Sequence, residues 1–386
     1  MDNATGLGSA VSVSGTVAPG FEGVRAAFEA NFQRPGADAE VGAALAVYVG
    51  GTCVADLWGG VADAAGTRAW SRDTLVNVWS ASKGVVAIAA AMLVDRGQLS
   101  YDDTVAKHWP EFAAAGKDAI TVGQILSHQS GVNGWDLPFG PTDLFDWGKA
   151  TALLAAQAPA WPPGTAASYH ALTHGFLAGE VIRRITGQDV GAFIRDHIAG
   201  PLGAEFHIGL PLVHDWRVAE MVGPGGDATP GGPAPAEVAG RAVRNPTPDP
   251  IGPNARAWRA AQIPAANGQS AAHGLGRIYG AIGNGGSLDG VRIISAAGID
   301  AMRAPRFEGN DMLLGPRTWG AGVSWNVMPN FGPLKETFGH SGWGGAFGCA
   351  NVGKHVGIGY VMNRMGNSLV GNPRGASIAE AVFAAV

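Results

Sequence analysis

Ser80 and Lys83 stand three positions apart at the head of an apolar run that continues through Leu93. If that run is a helix, the hydroxyl and the amine share one face, a turn apart. They also sit at the helix end whose unpaired N–H groups favour negative charge. A serine becomes a nucleophile only where a base or a charge activates it. An amine can serve as that base once burial or a neighbouring charge brings its pKa well below the ordinary ~10.4. The chain holds only six lysines, and a lysine on so apolar a helix needs a reason. The bland alternative is that Ser80 merely caps the helix.

The elements that must hold this pair can be read outward from it. The Ser80 helix is apolar on nearly every face, which predicts a central, buried position. Asp95-Arg96-Gly97 supplies the stop, with glycine where helices commonly end. Upstream, Val41 to Trp58 reads as two strands joined at Gly50-Gly51, and Phe21 to Phe32 has helical spacing. Residues 1–18 are small and polar and read as a loose arm. Thr121 to Gly131 is a short helix ending in a turn, and Tyr169 to Gly187 is an amphipathic helix. Residues 222–254 are rich in Pro and Gly and read as a long ordered loop. Strands return at Trp319–Trp325, Thr337–Gly342, Ala346–Val352 and Val356–Met362, and a helix closes the chain from Ala376 to Ala385. Strands and a helix at each terminus predict one antiparallel sheet built from both chain ends, an α/β (α+β) fold. Residues 21–97 and 291–386 would form the sheet lobe, and 98–290 a mainly helical inserted lobe.

Composition narrows the function classes. The 386 residues are 46% apolar and 15% charged, the profile of an ordinary globular chain. A net charge of −5 gives no electrostatic case for nucleic acid or an anionic membrane. No run approaches the ~18 apolar residues of a membrane span, and no basic-then-apolar leader is evident. The expectation is a soluble cytoplasmic protein. Cys53 and Cys349 both fall in strand-like runs and read as free core thiols, although neighbouring strands could pair them.

With these elements in place, the chain resembles the serine β-lactamase and penicillin-binding protein superfamily, and within it the β-lactamase-like carboxylesterases (family VIII esterases). The markers are Ser80-Ala81-Ser82-Lys83, Ile120 to Gly131, Tyr169-His170-Ala171, Pro201-Leu202-Gly203 and Gly339-His340-Ser341-Gly342-Trp343-Gly344-Gly345. They cover most of the chain from about residue 21 and imply a β-lactamase/DD-peptidase-like fold. Two positions depart from the β-lactamase pattern. Ala171 stands where a β-lactamase has Asn, and His340-Ser341-Gly342 replaces Lys-Thr-Gly. A histidine is mostly neutral at pH 7, so the cation that suits a substrate carboxylate is lost from that strand. Ester hydrolysis needs neither group.

The resemblance implies an acyl-enzyme on Ser80, with Lys83 as base or activating charge. Tyr169 would pass a proton to the leaving alcohol, and either it or Lys83 could be the base. The backbone N–H groups of Ser80 and Trp343 would form an oxyanion hole, a role where one donor is worth roughly 2.7–4 kcal/mol. His340 would touch substrate or the tyrosine, Gly342 would let the strand approach the scissile carbonyl, and Trp135 would wall an acyl pocket unless it packs in the core. The substrate would be a small ester, with no cofactor and no metal. His170 and His174 are spaced to share a metal on a helix, but lack an evident third ligand and read better as a surface pair. His128 reads as a turn-stabilising side chain. The Gly342–Gly345 run lacks the Lys-Ser/Thr of a phosphate loop. Alternatives are a β-lactamase or D-Ala-D-Ala peptidase, an amide hydrolase, an acyltransferase, or a penicillin-binding module that does not turn over.

Overall fold

The computed structural model describes residues 11–224 and 236–386. Its frame is a nine-stranded antiparallel sheet. Three strands come from the N-terminal part: β1 (Val13–Val17), β2 (Gly42–Val49) and β3 (Thr52–Gly60). Six come from the C-terminal part: β4 (Phe307–Asp311), β5 (Gly315–Trp319), β6 (Ser324–Trp325), β7 (Phe338–Ser341), β8 (Phe347–Asn351) and β9 (Val356–Met362). The order across the sheet is β1-β3-β2-β9-β8-β7-β6-β5-β4, so the two chain ends meet where β9 pairs with β2. The expected sheet from both ends of the chain is present.

Four details differ from expectation. The supposed loose arm contributes β1: Val13, Gly15 and Val17 alternate with Ser14 and Thr16, and the strand pairs with the outer edge of β3. Residues 1–10 of that arm lie outside the described residues. Trp319–Trp325 is not one strand, because Gly320–Gly322 makes a turn that separates β5 from β6. The 222–254 stretch contains a helix at Glu237–Arg244 beyond residues 225–235, which lie outside the described residues. Asn245, just after that helix, ties it to the 135–139 segment by accepting from Phe139 N–H and donating to the Trp135 and Leu137 carbonyls. The cysteines are unpaired, and Cys53 lies exposed at the start of β3 rather than in the core.

Helices α1 (Glu22–Asn31) and α2 (Ala81–Asp95) precede α3 (Thr173–Thr186), α4 (Ala272–Gly283) and the closing α5 (Pro373–Ala384). Every residue of α2 from Ala81 to Leu93 is buried, as its all-round apolar pattern requires. Side chains alternate along β9. Tyr360 reaches Glu40, which pairs with Arg374 of α5 at 2.8 Å, while Gly357 and Gly359 face α4. A Cβ on Gly359 would stand 2.3 Å from Gly276 N, and one on Gly357 would stand 2.2 Å from Gly280 N. Glycine on both partners lets α4 lie directly on the strand backbone. Gly359→Ala should therefore force helix and sheet apart and cost about 1–3 kcal/mol, read as a lower midpoint in chemical denaturation.

Candidate active site

The segment before α2 is pinned on both sides. Val76–Asn77 pairs with Gln269–Ser270, and Val78 N–H continues the ladder to Gly268 O at 2.8 Å. Asn77 is buried and its side-chain oxygen accepts from Trp258 Nε1–H and Gln269 Nε2–H. The chain then turns sharply at Trp79, which has φ of +48°, a region disfavoured for a residue with a large side chain. Trp79 is held there by the rings of Trp258 and Trp343, at 5.4 and 5.0 Å between centroids. Ser82 closes the turn: its hydroxyl donates to Trp79 O at 2.5 Å and accepts from Gly268 N–H at 2.9 Å. Strain at one residue is stabilised by packing and hydrogen bonds from four others, and its product is the placement of Ser80.

Ser80 occupies the N-cap position of α2, but its side chain makes no capping bond. Its Oγ lies 2.9 Å from Lys83 Nζ instead. Lys83 is fully buried, and its other two polar contacts are backbone carbonyls, Ala171 O at 2.7 Å and Ala265 O at 2.9 Å. No carboxylate pairs with it among the described residues. Burial without a counter-ion holds its pKa well below the ordinary lysine value. The neutral amine has two N–H donors and one lone pair. In that neutral form the two carbonyls can take the hydrogens, and the lone pair would then face the Ser80 hydroxyl.

Tyr169 lies across from this pair, with the Lys83 nitrogen 4.8 Å from its ring centre. It does not belong to α3 as expected, because that helix starts only at Thr173. Its backbone N–H instead donates to Asp311 Oδ1 at 3.1 Å. The same oxygen accepts from the Leu313 and Leu314 N–H groups, and Oδ2 accepts from the Trp319 indole. Asp311 thereby ties the Tyr169 segment to the β4–β5 hairpin. Burial pushes the phenol above its usual pKa, and a hydrogen-bonding interaction with Ser80 offsets part of this. The phenol is a proton donor at neutral pH.

Behind Tyr169 stand His128, His170 and His174, all buried. His170 and His174 are thus not a surface pair: His170 precedes the helix, and His174 sits on the buried side of its first turn. His170 is bound to Ser130 Oγ and Ser168 O, each at 2.7 Å, and its N–H donates to His128 Nδ1 at 3.1 Å. Burial lowers all three pKa values, that of His170 to about 4. Among the described residues no group of three or more His, Cys, Asp or Glu is arranged to hold a metal ion.

The third wall is the end of β7. His340 Nδ1–H donates to Ser341 O at 2.8 Å, which leaves Nε2 as an acceptor, buried and without a partner among the described residues. Burial first, then the nearby Lys83, depresses its pKa to about 3, so it is neutral at pH 7. A Cβ on Gly342 would lie 2.2 Å from Val78 O, so only glycine lets this strand end reach the segment leading into Ser80. The following turn is anchored at Gly344 O, which accepts from Asn372 at 2.7 Å and Arg374 at 3.0 Å. Among the described residues, neither Ser80 N–H nor Trp343 N–H donates to a protein acceptor. Trp135 is not part of this wall. It is stacked on Phe139 at 4.0 Å and its indole donates to Ala150 O, so it packs in the core and offers substrate no face.

The site therefore brings Ser80, Lys83, Tyr169, His340, Gly342 and Trp343 together. Sequence reasoning passed over Ser82 and Asp311. Ser82 had a signal, being a second hydroxyl in an apolar helix. Asp311 had none locally, since the backbone it holds lies 142 positions away.

The fold is that of the β-lactamase family: the family profile matches residues 28–383, and the chain belongs to it. Its relatives are more specific. It is 36% identical to the esterase/β-lactamase LipL of Mycobacterium tuberculosis over 355 residues, 85% of this chain and 78% of that protein. A crystal structure of a family VIII carboxylesterase superposes with a TM-score of 0.92 at 43% identity, covering 97% of this chain and all of that one. A penicillin-binding protein homologue from Caulobacter crescentus gives 0.90 at 42%, with the same coverage. Among the described residues no helix is long and apolar enough to cross a membrane.

The depressed lysine has a stability signature. Between its folded pKa and about 10.5 the unfolded chain holds a proton that the folded chain does not. Stability contributed by the neutral amine is thus lost as pH falls through that window and regained as pH rises. Lys83→Met should remove this slope, which can reach ~1.4 kcal/mol per pH unit. Urea denaturation of both proteins between about pH 7 and 10 measures it.

Proposed function

We propose that the protein is a serine carboxylesterase acting on small esters through an acyl-enzyme at Ser80. The observation that carries this is the 2.9 Å contact between Ser80 Oγ and a buried lysine whose only other partners among the described residues are two carbonyls. Ser80 O–H gives its proton to the Lys83 lone pair as Oγ attacks the ester carbonyl carbon. The N–H groups of Ser80 and Trp343 stabilise the resulting oxyanion. Collapse breaks the bond to the alcohol oxygen, which takes a proton from the Tyr169 phenol, and the Lys83 ammonium restores that proton. Water then attacks the acyl carbonyl carbon and gives a proton to the same pair, the bond to Ser80 Oγ breaks, and Oγ takes that proton back as the acid leaves. Lys83 suits the role of base and Tyr169 that of acid because burial pushes the amine down and the phenol up. Esterases among the relatives support the substrate class, as do Ala171 and neutral His340 at the two positions where a β-lactamase carries Asn and Lys.

LipL is described as both esterase and β-lactamase, so β-lactam hydrolysis is the second reading. Hydrolysis of 4-nitrophenyl acetate or butyrate should exceed that of nitrocefin, and EDTA should leave it unchanged. Ser80→Ala should lower kcat by at least about 10⁴-fold with the fold intact by circular dichroism. Substantial residual turnover in that variant would remove Ser80 from the mechanism. Faster nitrocefin than ester hydrolysis would favour the β-lactamase reading, and stoichiometric acylation without release would mark a penicillin-binding module.

A further inference from the structure

The turn that ends the 121–131 segment carries a residue that the reaction does not use. Val122–Leu126 is a short helix, and Gln129 N–H closes its end on Gln124 O at 2.8 Å. That bond spans the position where helices favour a glycine in the left-handed region. Here the position holds His128, at φ of +65°. A histidine in that conformation carries backbone strain that something else must offset. His128 is fully buried, and both of its acceptors serve one stretch of main chain. Its carbonyl accepts from Ser168 N–H at 3.1 Å, and its Nδ1 accepts from His170 N–H at 3.1 Å. Tyr169 N–H, between them, donates to Asp311 Oδ1 at 3.1 Å. Three consecutive main-chain N–H groups are thus held from two sides, with Tyr169 at the centre. The His128 ring also stands 5.0 Å from the Tyr169 ring and 4.4 Å from that of Trp319, which is itself stacked on Tyr169 at 6.0 Å. Burial first, then neighbouring His174 and His170, keeps the His128 pKa well below the ordinary histidine value, so Nδ1 keeps its lone pair.

We propose that His128 is a positioning residue for the proton donor of the reaction, clamping the main chain on either side of Tyr169 so that the phenol stands at the leaving oxygen. The proposal rests on the reading of Tyr169 as the acid that protonates the leaving alcohol. Proton transfer needs donor and acceptor within hydrogen-bond reach, and the phenol oxygen is the far end of a rigid ring. A small rotation of the main chain at residue 169 swings that oxygen away, and a displacement of about 1 Å can cost roughly 10²-fold in rate. The alternative, a side chain that only finishes the turn, would need no acceptor at Nδ1.

Substitutions at His128 separate the two. Asparagine places its oxygen where Nδ1 stands and tolerates a positive φ, whereas glutamine places its oxygen where Nε2 stands. Ethyl butyrate has a leaving group that must be protonated, and 4-nitrophenyl butyrate has one that departs as the anion. In kcat/KM, Tyr169→Phe should lose at least about tenfold more on the ethyl ester than on the 4-nitrophenyl ester. His128→Gln should show the same selective loss, and His128→Asn should recover most of it. His128→Gly removes the acceptor without backbone strain and should behave as His128→Gln, even where the glutamine variant fails to fold. Losses in these two variants that are equal on both esters, or that are as large in His128→Asn, overturn the proposal. Amide hydrogen exchange gives a readout independent of turnover. Referenced to amides of α2, the His170 N–H should exchange at least about tenfold faster in His128→Gln or His128→Gly than in wild type. If wild type hydrolyses neither ester, or Tyr169→Phe shows no leaving-group preference, the reading of Tyr169 as acid fails. Exchange alone then decides the clamp, and an unchanged rate at His170 overturns it.

Discussion

A primary amine enclosed at the centre of a protein, with no carboxylate beside it among the described residues, is driven toward its neutral form. That constraint at Lys83 organises the active site. The groups around it are ones that tolerate or enforce neutrality: two backbone carbonyls, the Tyr169 ring, and neutral imidazoles of His128, His170, His174 and His340. An acid placed among them would restore the ammonium and take away the lone pair that Ser80 needs. The same burial acts oppositely on Tyr169, so one apolar environment yields a base and an acid side by side.

The scaffold exists to keep that arrangement dry and in register. Ser80 is placed by a strained Trp79, and the strain is held by Ser82, Gly268 and two flanking indoles. Lys83 follows one helical turn later on a helix with no exposed face. The third wall arrives from the far end of the chain through β7, and Gly342 is the point where the two halves touch. The sheet makes this possible because β9 pairs with β2, joining residues some three hundred positions apart. The hairpin at the sheet's edge contributes Asp311, which fixes the Tyr169 backbone.

Much of this was legible in the sequence wherever the cause is local. The strands at Gly42–Val49, Thr52–Gly60 and Val356–Met362 show as apolar runs with turn residues between them. The buried helix after Ser80 shows as a stretch without a polar face. The start of α3 was misplaced by four residues because Tyr169 to Leu172 is apolar enough to pass for helix, while a distant carboxylate takes the Tyr169 N–H. The β4–β5 hairpin was invisible, since Phe307–Asp311 has little strand patterning and is held by partners elsewhere in the chain. Trp135 was left between pocket wall and core because an aromatic cluster has the same composition in either, and the structure packs it in the core.

The ionisation state of Lys83 tests the account most directly. In protein carrying ¹⁵N-labelled lysine, the Nζ resonance lost in Lys83→Met identifies the residue, and its shift can be followed with pH. The account predicts an amine that titrates well below the ordinary lysine range, with the neutral form predominant at about pH 8. An ammonium that persists to about pH 10, like that of a free lysine, would contradict it.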